Sequence, residues 1–361
     1  MKIAVLSAAN SIHTIKIVNG LAGLGHEVVL FSLPNHTDKD NAVSAGVKVI
    51  YLKYKGALGY FLNRGLLKKL LCKENFDVLN AHYASGYGTL ARLTGFRPCV
   101  LSVWGSDVYD FPYLGKFNCQ LLKKNLAYPD ALLSTSHVMA KQALKFTQNH
   151  IDVTPFGVDL SEFFPKEKAD SEKVTIGFIK GVSAKYGIEY LIRAFAVVLK
   201  EAQVPVCLEV YGDGNQMEEM KRLTQDLKID GAVTFHGRIP HSRVPDALSG
   251  IDIFCVPSTL DSESFGVAAV EAMACGVPCV TSDADGLTEV MVNGETGFIV
   301  KRCDSEALAG KLLVLVHDSS LRKTMGEAGI KRVSENYDWQ ENLKLIEKYL
   351  IRAFEKNSKV N

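Results

Sequence analysis

The stretch Val256-Pro257-Ser258-Thr259-Leu260-Asp261-Ser262-Glu263-Ser264-Phe265-Gly266-Val267-Ala268-Ala269-Val270-Glu271-Ala272-Met273-Ala274-Cys275-Gly276-Val277-Pro278 contains a strand end, a polar loop and a small-residue helix in succession. The helix is expected to start near Phe265 and to stop at Gly276, with Pro278 just beyond. A helix start presents N–H groups and a positive dipole end, which suit a phosphate. Gly266 has no Cβ, so an anion can approach the backbone closely. Glu263 in the loop and Glu271 inside the helix flank that place. Glu271 sits among Ala268, Ala269, Val270, Ala272, Met273 and Ala274, and a helix that is small and apolar nearly all round is buried. A buried carboxylate needs hydrogen-bond partners. Sugar hydroxyls would supply them; so would a buried cation, with Glu263 acting only as a cap. The residues alone leave both readings open.

Outward from this segment, short β-rich runs alternate with helical patterns. Val174–Ile179, Val206–Tyr211, Val233–Phe235, Ile251–Val256, Val277–Thr281 and Gly297–Val300 are predicted strands. Tyr186–Lys200, Asn215–Leu227, Phe265–Ala274 and Glu306–His317 are predicted helices. Toward the N-terminus the same alternation runs through Lys2–Leu6, Glu27–Phe31, Val47–Tyr51, Phe76–Asn80, Cys99–Val103 and Ala131–Ser134, with helices over Ile12–Leu24 and Leu114–Leu126. Apolar, two-sided strands alternating with helices imply parallel sheets covered on both faces. Between the two series, Thr154–Asp159 is turn-rich and Phe164–Lys173 is charged, an expected linker. The division expected is 1–160, 161–337 and a closing helix in 338–361 that packs back on the N-terminal domain. Two doubly wound sheets bind ligands beyond their strand ends, and two facing each other make a cleft.

The 361 residues suit two cores, with 47% apolar and 22% charged side chains. Lys+Arg total 41 against 40 Asp+Glu, without the basic excess of a nucleic-acid binder. The 8 cysteines form no C-x-x-C pair and read as small core residues of a reducing compartment rather than a zinc site. The start is apolar too briefly for a signal peptide, and no run reaches the ~18 residues of a membrane span, so a cytoplasmic place is expected. Lys53–Lys69 mixes basic and apolar side chains. Its favoured reading is a solvated helix with one core face; the other is a surface resting on anionic lipid at the inner membrane face.

Gly177-Phe178-Ile179-Lys180-Gly181-Val182-Ser183-Ala184-Lys185-Tyr186-Gly187 places two cations in one strand-to-helix loop, which by themselves read either as two exposed lysines or as charge placed where a leaving pyrophosphate would gather its own. Tyr211-Gly212-Asp213-Gly214 is a strand-end glycine turn without the third glycine of a dinucleotide fingerprint; Met217 stands there.

Glu263 and Glu271, with Ser264-Phe265-Gly266 and Ala272-Met273-Ala274-Cys275-Gly276-Val277-Pro278, resemble the E-x7-E segment of the family 4 glycosyltransferases. Lys180 and Lys185 resemble that family's Arg and Lys, with Lys180 in the Arg position. Phe235-His236-Gly237-Arg238, Thr154–Phe163, Glu289 and Gly294–Gly297 also resemble its pattern. The resemblance covers nearly all of 130–340. It implies the α/β GT-B fold, two Rossmann-like domains facing each other across a cleft. It further implies transfer with retention and no required metal or other cofactor. On the resemblance, Glu263, Lys185 and Lys180 are the catalytic candidates. Ser264, Phe265, Gly266, Val267 and Glu271 would bind the donor, Glu271 at the ribose, and Arg238 would border the base.

In the N-terminal half, Asn10 or Ser11 would cap the first helix and His13 would point at donor phosphate. His82 lies just past a strand end. Ser102-Val103-Trp104-Gly105-Ser106-Asp107 resembles the family's H-G-x-D segment, with Trp104 in the His position and Asp107 kept; His82 and Asp107 are the acceptor-side candidates. The implied partners are a UDP- or GDP-sugar and a glycan or lipid-linked acceptor, as in polysaccharide assembly. The expected chemistry has the leaving phosphate oxygen take the acceptor hydroxyl's proton, and expects Glu263→Ala and Lys185→Ala to cripple transfer with little loss of fold. The alternatives are a nucleotide-sugar epimerase or phosphorylase on a similar frame, or a nucleotide-sugar-binding protein without turnover.

Overall fold

A computed structural model describes residues 1–38, 42–167 and 173–358. Its chain divides into two units, Met1–Phe156 with Gln340–Asn361, and Gly157–Trp339. The boundary falls at Phe156, a few residues before the expected 160. The second crossing lies at Trp339–Gln340, so the closing helix Trp339–Ser358 belongs almost wholly to the first unit. There His26 meets Glu347 at 2.7 Å, and the Tyr349 hydroxyl donates to Asp152 at 2.8 Å. Residues 168–172 of the expected linker lie outside the described residues.

The first unit holds seven parallel strands: β1 (Lys2–Leu6), β2 (Glu27–Ser32), β3 (Val47–Tyr51), β4 (Val78–His82), β5 (Cys99–Val103), β6 (Ala131–Ser134) and β7 (Ile151–Val153), in the order β3-β2-β1-β4-β5-β6-β7. The second holds six: β8 (Val174–Ile179), β9 (Val206–Tyr211), β10 (Val233–Gly237), β11 (Ile253–Val256), β12 (Cys279–Ser282) and β13 (Gly297–Val300), in the order β10-β9-β8-β11-β12-β13. β4 and β5 are buried along their whole length, as strands covered on both faces must be. Helix Ile188–Glu201 shows how the cover is made. Ile188, Leu191, Ile192, Phe195 and Val198 recur at i, i+3, i+4, i+7 and i+10, and all are buried.

Both sheets reverse their order beside the first strand of their unit. In the first the switch lies between β1 and β4, in the second between β8 and β11. At such a point the outgoing loops diverge and leave a crevice at the carboxyl ends. The residues placed there are Ser7–His13 and His82 in one unit, and Lys180 and Pro257–Gly266 in the other.

Several local expectations change. Ser11 holds the N-cap position of helix Ile12–Gly23 but makes no side-chain cap bond, and Asn10 is exposed outside it. Lys53–Lys69 is not one helix: Gly56–Leu62 and Arg64–Lys73 meet at Asn63, whose amide ties to Tyr54 and Gly59 backbone. Of the cysteines, Cys72 and Cys303 are exposed and Cys119 is half-buried; the other five are core residues. Among the described residues no helix is long and apolar enough to cross a membrane.

Candidate active site

The loop after β11 is fixed from both sides by main-chain bonds. Thr259 N–H donates to the Lys185 carbonyl at 2.9 Å, and Gly286 N–H donates to the Glu263 carbonyl at 3.1 Å. The Arg302 guanidinium holds Asp261 at 2.8 Å and Asp283 at 2.9 Å, which anchors the loop's outer edge. The Ser282 hydroxyl donates to the Ser258 carbonyl. Helix Val267–Ala274 begins two residues later than expected, with Gly266 as its N-cap at φ +81°. The fold itself requires the glycine. Its backbone is left-handed, and the space a Cβ would take is already filled by Leu287 at 2.7 Å.

This scaffold brings three of the predicted groups together. Lys180 Nζ donates to Glu263 Oε2 at 2.5 Å, and the Ser258 hydroxyl donates to the same oxygen at 3.2 Å. Glu263 is 7% exposed, so the pair is largely withdrawn from water. Lys185 Nζ donates to the Ser262 carbonyl at 3.2 Å. Both ammonium groups lie against the ring of Tyr186, at 4.7 and 5.5 Å from its centroid. A ring face at that range attracts cations, so Tyr186 helps hold both at one mouth. Ser264 and Phe265 are buried beside Glu263, and Phe265 meets Tyr337 edge-on at 5.6 Å. Val267 opens the helix and is half-buried.

Glu271 lies one helical turn beyond Val267, 8% exposed, and His241 Nε2 stands 2.8 Å from its Oε1. The cation-partner reading therefore has a named candidate, an imidazole rather than a lysine or arginine. His241 was missed from sequence. It comes from a short turn after Pro240, thirty residues upstream, and nothing in Pro240-His241-Ser242-Arg243 signals a partner for a helix in another part of the chain. Arg238 is exposed just past β10.

The first unit's candidates form an aromatic nest. His13 stacks on Phe156 with centroids 3.8 Å apart and planes at 9°. Trp104 lies edge-on to both, and 4.3 Å from the His82 ring. The His13 ring lies in this stack. His82 is fully buried and both its ring nitrogens lack a hydrogen-bond partner, as does the Asn80 amide two residues earlier. Burial, with His13 nearby, pushes the His82 imidazole down to about 3. Asp107 is also buried. Its carboxylate accepts from Ala84 N–H at 2.8 Å, Trp104 N–H at 3.1 Å and Gly105 N–H at 2.9 Å. The carboxylate thus staples the Trp104 loop, with both oxygens accepting from backbone.

The sequence model of the Glycosyl transferases group 1 family matches residues 159–332, and that of the Glycosyl transferase 4-like family matches residues 2–136. N-acetyl-alpha-D-glucosaminyl L-malate synthase of Bacillus anthracis is 26% identical over 80% of this chain and 78% of its own length. Phosphatidyl-myo-inositol mannosyltransferase of Mycolicibacterium smegmatis is 25% identical over 95% of this chain and 89% of its own. Anabaena HepE, solved in complex with UDP, superposes with a TM-score of 0.82 over 98% of this chain and all of its own, at 18% identity. That likeness shows the fold, which is GT-B.

Proposed function

The chain belongs to the family 4 glycosyltransferases and is an enzyme of the hexosyltransferase type, and from that premise we propose that it transfers a hexose from a UDP- or GDP-sugar to a glycan or lipid-linked acceptor with retention of anomeric configuration. The observation that carries this is the convergence of Lys180, Lys185 and Glu263 at the start of helix Val267–Ala274. Two ammonium groups and a helix N-terminus at one switch point suit a diphosphate. As the anomeric bond to the β-phosphate oxygen breaks, its electron pair goes to that oxygen. The lysines and the first-turn N–H groups stabilise the charge, which is work a divalent cation would otherwise do. The acceptor hydroxyl bonds the anomeric carbon from the same face and gives its proton to the departing phosphate oxygen.

In this reading Glu263 leaves Lys180 to meet the sugar hydroxyls, while Lys180 moves onto phosphate. Glu271, oriented by His241, takes the ribose hydroxyls, and Arg238 borders the base. His13 lies on the donor side of the first unit, and His82 and Asp107 shape its acceptor side, Asp107 through the Trp104 loop. The relative named for phosphatidyl-myo-inositol and the HepE complex with UDP are consistent with such substrates. A lipid-linked acceptor implies work in the cytoplasm at the inner membrane face.

A thermal-shift panel of UDP-, GDP- and ADP-sugars tests the reading, since a ligand bound only by the folded state must raise its stability. One nucleoside diphosphate sugar is expected to raise Tm in the wild type and much less in Lys185→Ala. No shift with any of them, or an undiminished shift in Lys185→Ala, sinks it.

A further inference from the structure

Helices Gly56–Leu62 and Arg64–Lys73 turn Gly59, Leu67 and Leu71 inward. The outward side is also apolar. Leu58 is 71% exposed, and Phe61, Leu62 and Leu66 are exposed with it. Positions 58, 61 and 62 are i, i+3 and i+4, one stripe of one helix. A second outcrop lies at Tyr113, Leu114 and Phe117, the last two 75% and 71% exposed. With Tyr51 and Tyr54, these two segments hold 9 of the 16 large apolar side chains exposed among the described residues. Both belong to one helical layer, because helix Tyr87–Thr94 packs against Gly56–Leu62, Arg64–Lys73 and Lys116–Leu126 alike.

Within the two segments the charges are of one sign, with Glu74 and the exposed Asp110 at their edges. Residues 53–73 carry Lys53, Lys55, Arg64, Lys68, Lys69 and Lys73 with no acid, and 111–129 carry Lys116, Lys123 and Lys124 with no acid, in a chain of net charge +1. A soluble surface rarely gathers apolar side chains this way without a partner. A second copy docking the same patch would set like charges against each other, and a nucleic acid has no use for Leu58, Leu62 or Leu114. A bilayer with anionic headgroups meets both demands: the apolar side chains enter the headgroup–acyl boundary and the ammonium groups meet lipid phosphates.

We infer that Lys53–Lys73, together with Tyr113–Lys124, is a docking surface for anionic lipid bilayer. The inference deepens the lipid-linked-acceptor reading and draws its biological sense from it, yet it is tested by lipid binding rather than transfer, so either can fail alone. The full chain is floated with vesicles of phosphatidylcholine, or of phosphatidylcholine with a third phosphatidylglycerol, at low and high salt. Binding is expected only to the anionic vesicles and is weakened by salt. Lys68→Glu with Lys69→Glu, and separately Leu58→Asn with Leu62→Asn, should each lower the partition coefficient roughly tenfold or more. Their unfolding temperatures should stay unchanged, since all four side chains are exposed. Absence of binding, equal binding to neutral vesicles, or wild-type binding by both variants overturns the inference. So does a wild-type dimer in light scattering that the Leu58/Leu62 variant dissolves, since the stripe would then be a protein interface.

Discussion

Lys180 and Glu263 neutralise each other at 2.5 Å inside a mouth lined by Tyr186 and Ser258. The two groups proposed to meet phosphate and sugar thus hold each other until a donor separates them. This bears on the expectation that Glu263→Ala would cost little of the fold. Removing one partner of a largely buried pair strands the other charge, at a cost of about 3 kcal/mol. Glu263→Ala should therefore lower Tm, and Lys180→Met/Glu263→Leu should recover most of the loss. A double variant no more stable than Glu263→Ala, read by urea unfolding, would refute the stranded-charge account.

Activity separates from stability at Lys185, whose ammonium donates to the Ser262 carbonyl and lies against the Tyr186 ring. Lys185→Ala should cut kcat on the order of a hundredfold, the scale of losing one charge-stabilising donor, while Lys185→Arg keeps much of it. Steady-state kinetics with the donor found by thermal shift reads this; a loss confined to acceptor KM would contradict it.

His241 Nε2 stands 2.8 Å from the Glu271 carboxylate, the group proposed to take the ribose. His241→Phe should raise donor KM roughly tenfold, about one hydrogen bond to a charged group, with kcat little changed. His241→Gln, which can still donate, should restore part of the affinity. Equal effects of the two variants on Tm and none on donor KM would leave the contact merely structural.

Gly286 offers a test that deletes no functional side chain. A Cβ there would lie 2.3 Å from Phe265 N and 2.4 Å from the Glu263 carbonyl oxygen, and backbone cannot yield as a flexible side chain does. Gly286→Ala should displace the Glu263 loop and lower kcat at least tenfold, a loss that modest misplacement of reacting groups can cause. Wild-type turnover in a folded Gly286→Ala protein would show that the loop's placement is not critical.

His82 sets an acid limit on the first unit. Its ordinary value is 6.5, and burial takes it to about 3. Below 6.5 the unfolded chain binds a proton that the folded chain refuses, so His82 removes stability as pH falls between those values, at up to about 1.4 kcal/mol per unit. His82→Phe, able to keep the stack on Trp104, should flatten the fall of Tm between pH 6.5 and pH 4.5. Parallel Tm profiles would rule His82 out as the source.

Much of this frame is legible in the chain because buried parallel strands are continuous apolar runs. β1, β3, β5, β6, β8, β9 and β13 keep the residues read from sequence. β7 escaped because it is three residues long at a sheet edge, with Asp152 in its middle. The Glu263 loop and the two lysines stand out by spacing. Contacts that join distant positions do not: the His241–Glu271 bond, the His13–Phe156 stack, and the Leu287 side chain that occupies the space beside Gly266.

The polypeptide leaves the first unit at Phe156 and returns to it at Gln340. No single cut therefore yields two intact halves. A fragment ending at 156 lacks Glu347 and Tyr349, the counterparts of His26 and Asp152. A stop codon near 339 would injure the first unit rather than the second. On the ribosome, that unit cannot be completed until the residues from Gln340 onward are made, so Gly157–Trp339 is synthesised while the first unit still waits for a missing piece.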